Sequence, residues 1–328
     1  MGRGTDHDAG SGVDEDLTAA GRPRERPRRL RPGQRVAVVA PAGPVEPELL
    51  ERGVAILRSW GLEVVLGEHV LDRHPGLDYL AGRDQDRAAD LERAWCDPEV
   101  AAVFCARGGY GSQRVLDLLD WAAMRQAGPK LLVGSSDITA LHGAFATRLD
   151  LVTVFGPMVA TRAFAADEAA ADHLRRSLFT PHETTVLRRD GAMALVSGRA
   201  SGLVVGGNLS LLASGVGDPL APPSASGALV LLEDVGEDPY RLDRMVTQLD
   251  RAGWFDGVRG IVLGSWVDCG PVEEVRSVLA ERLSAHGVPV LWELGFGHCV
   301  GQLTVPLGVR AVLDADAATL TLREPALR

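Results

Sequence analysis

The chain has 328 residues, 46% hydrophobic and 24% charged, the composition of an ordinary globular protein with room for two domains and a core in each. A net charge of -10 argues against nucleic acid as the main partner, because binding phosphates needs a basic surface. No apolar run is long enough for a membrane span, and the four cysteines, Cys96, Cys105, Cys269 and Cys299, form no CxxC pair; the expectation is a cytoplasmic protein with reduced thiols, no disulfide framework and no zinc site.

Residues 1–31 mix Gly, Asp, Glu, Arg and Pro with almost no apolar content and read as a solvated tail. The basic stretch 22–31 is offset by Asp14, Glu15 and Asp16 and is followed by no apolar core of an export signal. Residues 36–40 (VAVVA) are a short apolar, β-branched run that suits a strand covered on both faces. Leu50, Val54 and Leu57 then fall on one face of a helix over 47–60, with Gly61 placed to end it. Strands at 62–66, 101–105, 131–133 and 152–155 alternate with helices at 84–95 and after Gly111 and Ser136. Such alternation implies a mainly parallel sheet with helices on both faces, over residues 32–165.

Residues 163–179 read as a helix, and 166–195 form a linker region, in which 181–190 suits the link to the second domain. A second domain over 196–328 carries strands at 202–205, 228–232, 260–263 and 288–292, helices at 240–252 and 272–285, and a hairpin of 311–313 with 319–321 around Asp314-Ala315-Asp316.

Ligands of open parallel sheets gather beyond the carboxyl ends of the strands. Four features fall there: Arg107-Gly108-Gly109-Tyr110-Gly111, Ser136-Asp137, Glu233-Asp234 and Gly295-Phe296-Gly297-His298. Ser136 sits where a strand passes through a small-residue turn into a helix, a setting that serves an exposed nucleophile or a helix cap. A serine nucleophile needs a base, and of the eight histidines His298 has the best context, whereas His142 lies inside a helix and suits packing. Glu233 ends the apolar run Val230-Leu231-Leu232, where a carboxylate needs a partner: the imidazole it would orient, or Arg241 or Arg244 in an ion pair. The backbone amides of Asp137 and Gly109 are candidate oxyanion donors, although the glycine-rich loop alone also suits a phosphate cradle. Gly206-Gly207-Asn208 is a turn that would contact substrate if it faces the cleft.

Together these stretches resemble the LD-carboxypeptidases of serine peptidase family S66, the murein tetrapeptide carboxypeptidases. The likeness runs from Val38-Val39-Ala40-Pro41-Ala42-Gly43 through Ala106-Arg107-Gly108-Gly109-Tyr110-Gly111, Gly134-Ser135-Ser136-Asp137-Ile138-Thr139, Gly207-Asn208-Leu209-Ser210 and Leu232-Glu233-Asp234-Val235-Gly236-Glu237 to Gly297-His298 and Pro306-Leu307-Gly308. The resemblance implies a flavodoxin-like first domain, a second β/α domain, a homodimer and no cofactor or metal. It implies Ser136 as nucleophile with Glu233 and His298 as its partners, and the amides of Gly109 and Asp137 as the oxyanion hole. The substrate would be a small peptide ending in a D-residue, its carboxylate met by a cation sought among Arg107, Arg241 and Arg244. Ser135, Phe155 and Gln302 depart from the usual family residues and bear on the pocket. The rival readings are a same-family immunity hydrolase acting on aminoacyl-nucleotide antibiotics and a non-catalytic two-domain binding protein.

Overall fold

The computed structural model describes residues 24–328. The first half winds β1 (Arg35–Val39), α1 (Pro47–Ser59), β2 (Glu63–Leu66), α2 (Asp84–Cys96), β3 (Val100–Cys105), α3 (Ser112–Val115), α4 (Trp121–Gln126), β4 (Leu131–Gly134), α5 (Thr139–Arg148) and β5 (Thr153–Phe155). Its parallel strands lie in the order β5-β4-β3-β1-β2, the flavodoxin-like arrangement, whose order reverses between β1 and β3. At that reversal the two strand ends are joined by a hydrogen bond from Gly43 N–H to the Gly108 carbonyl (3.0 Å).

The chain continues through α6 (Arg162–Ala165), α7 (Glu168–Phe179), β6 (Val186–Arg188), β7 (Met193–Val196), β8 (Arg199–Asn208), α8 (Leu209–Ser214), β9 (Ala228–Val235), α9 (Pro239–Arg251), β10 (Gly260–Val267), α10 (Val272–Ser284), β11 (Val290–Trp292), β12 (Val305–Leu307), β13 (Arg310–Asp314) and β14 (Thr319–Leu322). Here β8-β9-β10-β11 are parallel, and antiparallel strands flank them in the sheet order β6-β14-β13-β8-β9-β10-β11-β7. The architecture is therefore mixed α/β with two sheets, as the alternation of elements implies.

Successive residues of the inner strands point to opposite faces, and each face meets a different core. Val36 and Val38 of β1, Leu131 and Val133 of β4, and Leu229 and Leu231 of β9 join one cluster shared by both sheets. Ala37, Val39 and Leu132 face a second cluster with α2 and α5, while Val230 and Leu232 face a third with α9 and α10. The shared cluster fixes the two sheets against each other, and with them the strand ends that carry polar groups.

Three expectations are corrected. Residues 24–31, read as tail, are packed: Glu25 bridges Leu151, Leu30 is buried, and Arg29 N–H donates to the Arg328 carbonyl (2.8 Å). Residues 1–23 of that reading lie outside the described residues. The 166–195 stretch is no plain linker, since α7 packs in the shared core through Leu174 and Leu178, and β6 and β7 form the two edges of the second sheet. The helix read over 163–179 is two helices, because the Asp167 side chain turns back to accept from Ala170 N–H and caps α7. Finally, β12 returns to the first sheet and pairs antiparallel with β5 before β13 rejoins the second, so the chain crosses between the sheets three times.

Candidate active site

Ser136 follows β4 and opens a single 3-10 turn, Ser136–Ile138, that runs into α5. Its φ is +58°, a left-handed conformation that costs a non-glycine residue energy and is held only where the surroundings dictate it. Asp137 supplies much of that restraint. Its buried carboxylate accepts from Ser112 N–H (2.8 Å), and its carbonyl accepts from the Ser112 hydroxyl. Burial raises the Asp137 pKa, against the lowering effect of Ser112 and the Arg87 charge. The turn is thus clamped to the residues that follow the 107–111 loop.

That loop approaches Ser136 closely because it carries glycine. A Cβ on Gly108 would stand 3.1 Å from Ser136 Oγ and 3.2 Å from Asp137 N, so any side chain there would crowd both the hydroxyl and the amide beside it. Gly109 has φ +106° and lines the same cleft.

Glu233 lies within β9 and is fully buried. Its Oε2 meets His298 Nδ1 at 2.7 Å and its Oε1 accepts from Asn208 Nδ2 at 3.2 Å. The same Asn208 amide group donates to Asp234 Oδ1 (2.9 Å), and Asp234 also accepts from Ser210 N–H (2.9 Å). Burial first, and then the adjacent Glu233 charge, push Asp234 up to about 6. For His298, burial acts to lower the pKa, but the Glu233 charge and hydrogen bond, with Asp234 behind them, outweigh it and hold the imidazole above the ordinary histidine value of 6.5. A carboxylate on Nδ1 fixes the proton there and leaves Nε2 as the basic nitrogen.

Beside the site, one hydrogen bond ties the two halves together. Thr139 Oγ1, at the start of α5, accepts from Asn208 N–H (3.0 Å), while Asn208 Nδ2 holds Glu233. The turn bearing Ser136 and the carboxylate facing His298 are therefore registered by Thr139 and Asn208. A cleft of about 310 Å³ brings Gly108, Gly109, Ser135, Ser136, Gly297 and His298 to one surface.

Arg107 also lines this cleft and donates to the Pro44 carbonyl (2.9 Å). Arg241 and Arg244 do not line it: Arg241 pairs with Glu237, and Arg244 lies 5.3 Å over the Tyr240 ring. Residues 206–208 end strand β8 and form no turn, and Asn208, 2% exposed, is engaged behind Glu233 and not with substrate as expected. Glu233 has taken the imidazole, not either arginine, as its close partner. His142 is buried with Nε2 on the Gly134 carbonyl (3.0 Å), and burial lowers its pKa to about 4, in keeping with a packing role. Of the departures from the family pattern, Phe155 packs edge-on to Phe296 and Gln302 lines the cleft at 3% exposure. Sequence reasoning missed Thr139, Ser112 and the groups that hold the His298 loop, since each acts across the fold and none has a local signature.

Comparison with known proteins agrees with this architecture. Residues 36–156 match the model of the LD-carboxypeptidase N-terminal domain and residues 201–313 that of the C-terminal domain. The Streptomyces coelicolor protein SCO6489 is 61% identical over 302 residues, covering 92% of this chain and 97% of its own. The murein tetrapeptide carboxypeptidase of Pseudomonas aeruginosa is 34% identical over 297 residues, covering 86% of this chain and 94% of its own. Among solved structures, that of MccF in complex with glutamyl sulfamoyl guanosine superposes with a TM-score of 0.82 over 92% of this chain and 99% of its own at 23% identity, a likeness of fold. The muramoyltetrapeptide carboxypeptidase of Oxalobacter formigenes superposes at 0.72 with 29% identity, over 88% of this chain and 98% of its own. With both domain models matched in order along the chain, this protein belongs to the LD-carboxypeptidase family, Peptidase S66, a family of hydrolases.

Proposed function

We propose that this chain is a cytoplasmic, homodimeric serine LD-carboxypeptidase that hydrolyses the amide between an L-centre and a terminal D-residue, releasing D-alanine from murein tetrapeptide. The observation that carries this reading is the 2.7 Å contact between His298 Nδ1 and buried Glu233, on a loop that lines one cleft with Ser136. Ser136 Oγ attacks the scissile carbonyl carbon while His298 Nε2 takes its proton, and Glu233 stabilises the imidazolium so formed. The amides of Gly109 and Asp137 receive the negative charge that develops on the carbonyl oxygen. As the tetrahedral species collapses, His298 returns the proton to the leaving amine and the D-amino acid departs. Water then gives a proton to His298 and attacks the ester, and Ser136 recovers its proton. Arg107, the one of the three candidate arginines that lines the cleft, is assigned the substrate's terminal carboxylate.

Relatedness favours murein peptide over an aminoacyl-nucleotide: the Pseudomonas aeruginosa murein tetrapeptide carboxypeptidase is 34% identical and the Escherichia coli microcin C7 self-immunity protein MccF 27%. Incubating the purified protein with murein tetrapeptide, murein tripeptide and an aminoacyl sulfamoyl adenosine, and analysing products by mass, tests the choice. Release of D-alanine from the tetrapeptide alone is expected. Cleavage confined to the nucleotide conjugate would replace the reading with the immunity one, and cleavage of nothing would leave it without support.

A further inference from the structure

The loop that bears His298 has little stiffness of its own. Gly295, Gly297 and Gly301 all take positive φ, and Leu303 N–H closes the loop onto the Gly295 carbonyl (2.8 Å) without fixing what lies between. Glycines surrender more conformational freedom on ordering than other residues, so a catalytic imidazole placed among three of them depends on outside contacts. Ser265 N–H holds the Phe296 carbonyl (2.9 Å) on the near side, and Arg189, just past β6, holds the far side. Its Nη2 donates to the Val300 carbonyl (2.9 Å), and its Nη1 donates to the Gly301 carbonyl (3.3 Å) and approaches Cys299 Sγ (3.7 Å). The stem lies flat on Gly295, where a Cβ would stand 2.0 Å from Arg189 Cδ. Thus a single planar fork spans the entry to the loop and three consecutive residues after His298. Asp167, the cap of α7, accepts from Gly301 N–H, and His173 of α7 accepts from Thr304 N–H (3.0 Å), so the α7–β6 stretch presents a pinning surface to this loop.

We propose that Arg189 is a positioning residue for the hydrolytic reaction, setting where His298 stands against Glu233 through its hold on residues 295–301. The inference rests on the reading of His298 as the base. Arg189 does not line the cleft, so its effect falls on the geometry of the imidazole and not on substrate contact. The charged groups that act on His298 itself are Glu233 and Asp234 of β9, and a loosened loop weakens its coupling to both.

The test compares wild type with Arg189→Met, which keeps the stem and removes the donors, and Arg189→Lys, which restores a charge and part of the donor set. Steady-state release of D-alanine and NMR titration of the His298 imidazole are measured on each. In Arg189→Met, kcat is expected to fall about 10- to 100-fold, the scale of an ångström-sized misplacement of a reacting group. KM is expected to stay within about threefold of wild type, because ground-state contacts are untouched. The His298 midpoint moves down towards 6.5 as its contact with Glu233 loosens, and Arg189→Lys falls between. A Met variant with wild-type kcat and midpoint would overturn the proposal, as would one that loses activity while the His298 midpoint stays in place. Should Arg189→Met fail to fold, Arg189→Gln takes its place with the same two readouts and the same overturning results. The titration needs no substrate, so if wild type proves inactive on tetrapeptide, the function reading fails while the coupling of Arg189 to His298 is still decided.

Discussion

The backbone of Gly297 presses directly on the carboxylate of Glu233: a Cβ at that position would lie 2.4 Å from Glu233 Oε2, the oxygen that holds His298 Nδ1. Gly297 also has φ +93°, which a side chain disfavours. The residue before His298 is thus glycine because the Glu233 carboxylate occupies the space. Gly297→Ala is expected to displace Glu233 or the imidazole, lowering kcat/KM by about 100-fold or more while costing about 1–3 kcal/mol of stability, as overpacking does. Steady-state kinetics beside thermal melts check it, and near-normal activity would show that the contact is slack.

Gly108 poses the same question on the other side of the cleft. Its missing Cβ would stand 2.9 Å from Ser136 Cβ, so Gly108→Ala is expected to push the loop away from Ser136 and carry the Gly109 amide with it. With the Gly109 amide as the proposed oxyanion donor, its displacement is expected to cost about 100- to 1000-fold in kcat. Gly108 is buried, so the same overpacking should also lower the Tm, read by calorimetry, as at Gly297.

The pH profile follows from the charge on His298. The proposed mechanism needs a neutral Nε2, and the folded-state pKa is raised above 6.5, so kcat/KM is expected to rise with pH along a limb whose midpoint lies above 6.5. Glu233→Gln removes the charge responsible, and the midpoint should move down as the maximum rate falls. The same shift has a stability consequence: a raised histidine pKa stabilises the fold below the unfolded value and loses that contribution as pH rises through the folded one. A profile in which Glu233→Gln left the midpoint unmoved would separate the carboxylate from the titrating base.

Two other histidines act in the opposite direction. Burial lowers both His142 and His173 to about 4, with the Arg176 charge assisting at His173. Between 6.5 and about 4 the unfolded chain takes up these protons and the folded one does not, so stability falls as pH falls through that window. Each histidine contributes about 1.4 kcal/mol per pH unit at most. Urea melts at pH 7 and pH 4.5 should show the loss, and a His142→Gln, His173→Gln double variant should show a shallower pH slope than wild type, whatever its absolute stability.

Much of this arrangement is visible in the chain because its determinants are local. A β-branched run such as Val36 to Val39 announces an inner strand, and a small-residue turn after Val133 marks the place of Ser136 before any coordinate is known. Glu233 stands out because a carboxylate within an apolar run demands a partner, though the choice between His298 and the arginines of α9 needed the fold. What stayed hidden is tertiary. The strands β6, β7 and β12 span three or four residues, too few for a period to register, and two of them close the edges of a sheet built mostly from later segments. Thr139, Asp167 and Arg189 act on groups more than sixty residues away, and nothing around them in the chain sets them apart. The packed basic stretch from Arg24 to Arg31 misled for a related reason: it is ordered by partners at Leu151, Leu178 and Arg328, not by its own apolar content.

The claim on which all of this turns is that Ser136, His298 and Glu233 act on one substrate as one device, and a mutant cycle on kcat for D-alanine release addresses it most directly. Groups that work as a unit lose nearly everything at the first deletion. Ser136→Ala and His298→Ala should therefore each lower kcat by about 1000-fold or more, and the double variant should be no worse than the weaker single. Turnover surviving in Ser136→Ala, or losses that multiply in the double variant, would contradict the account.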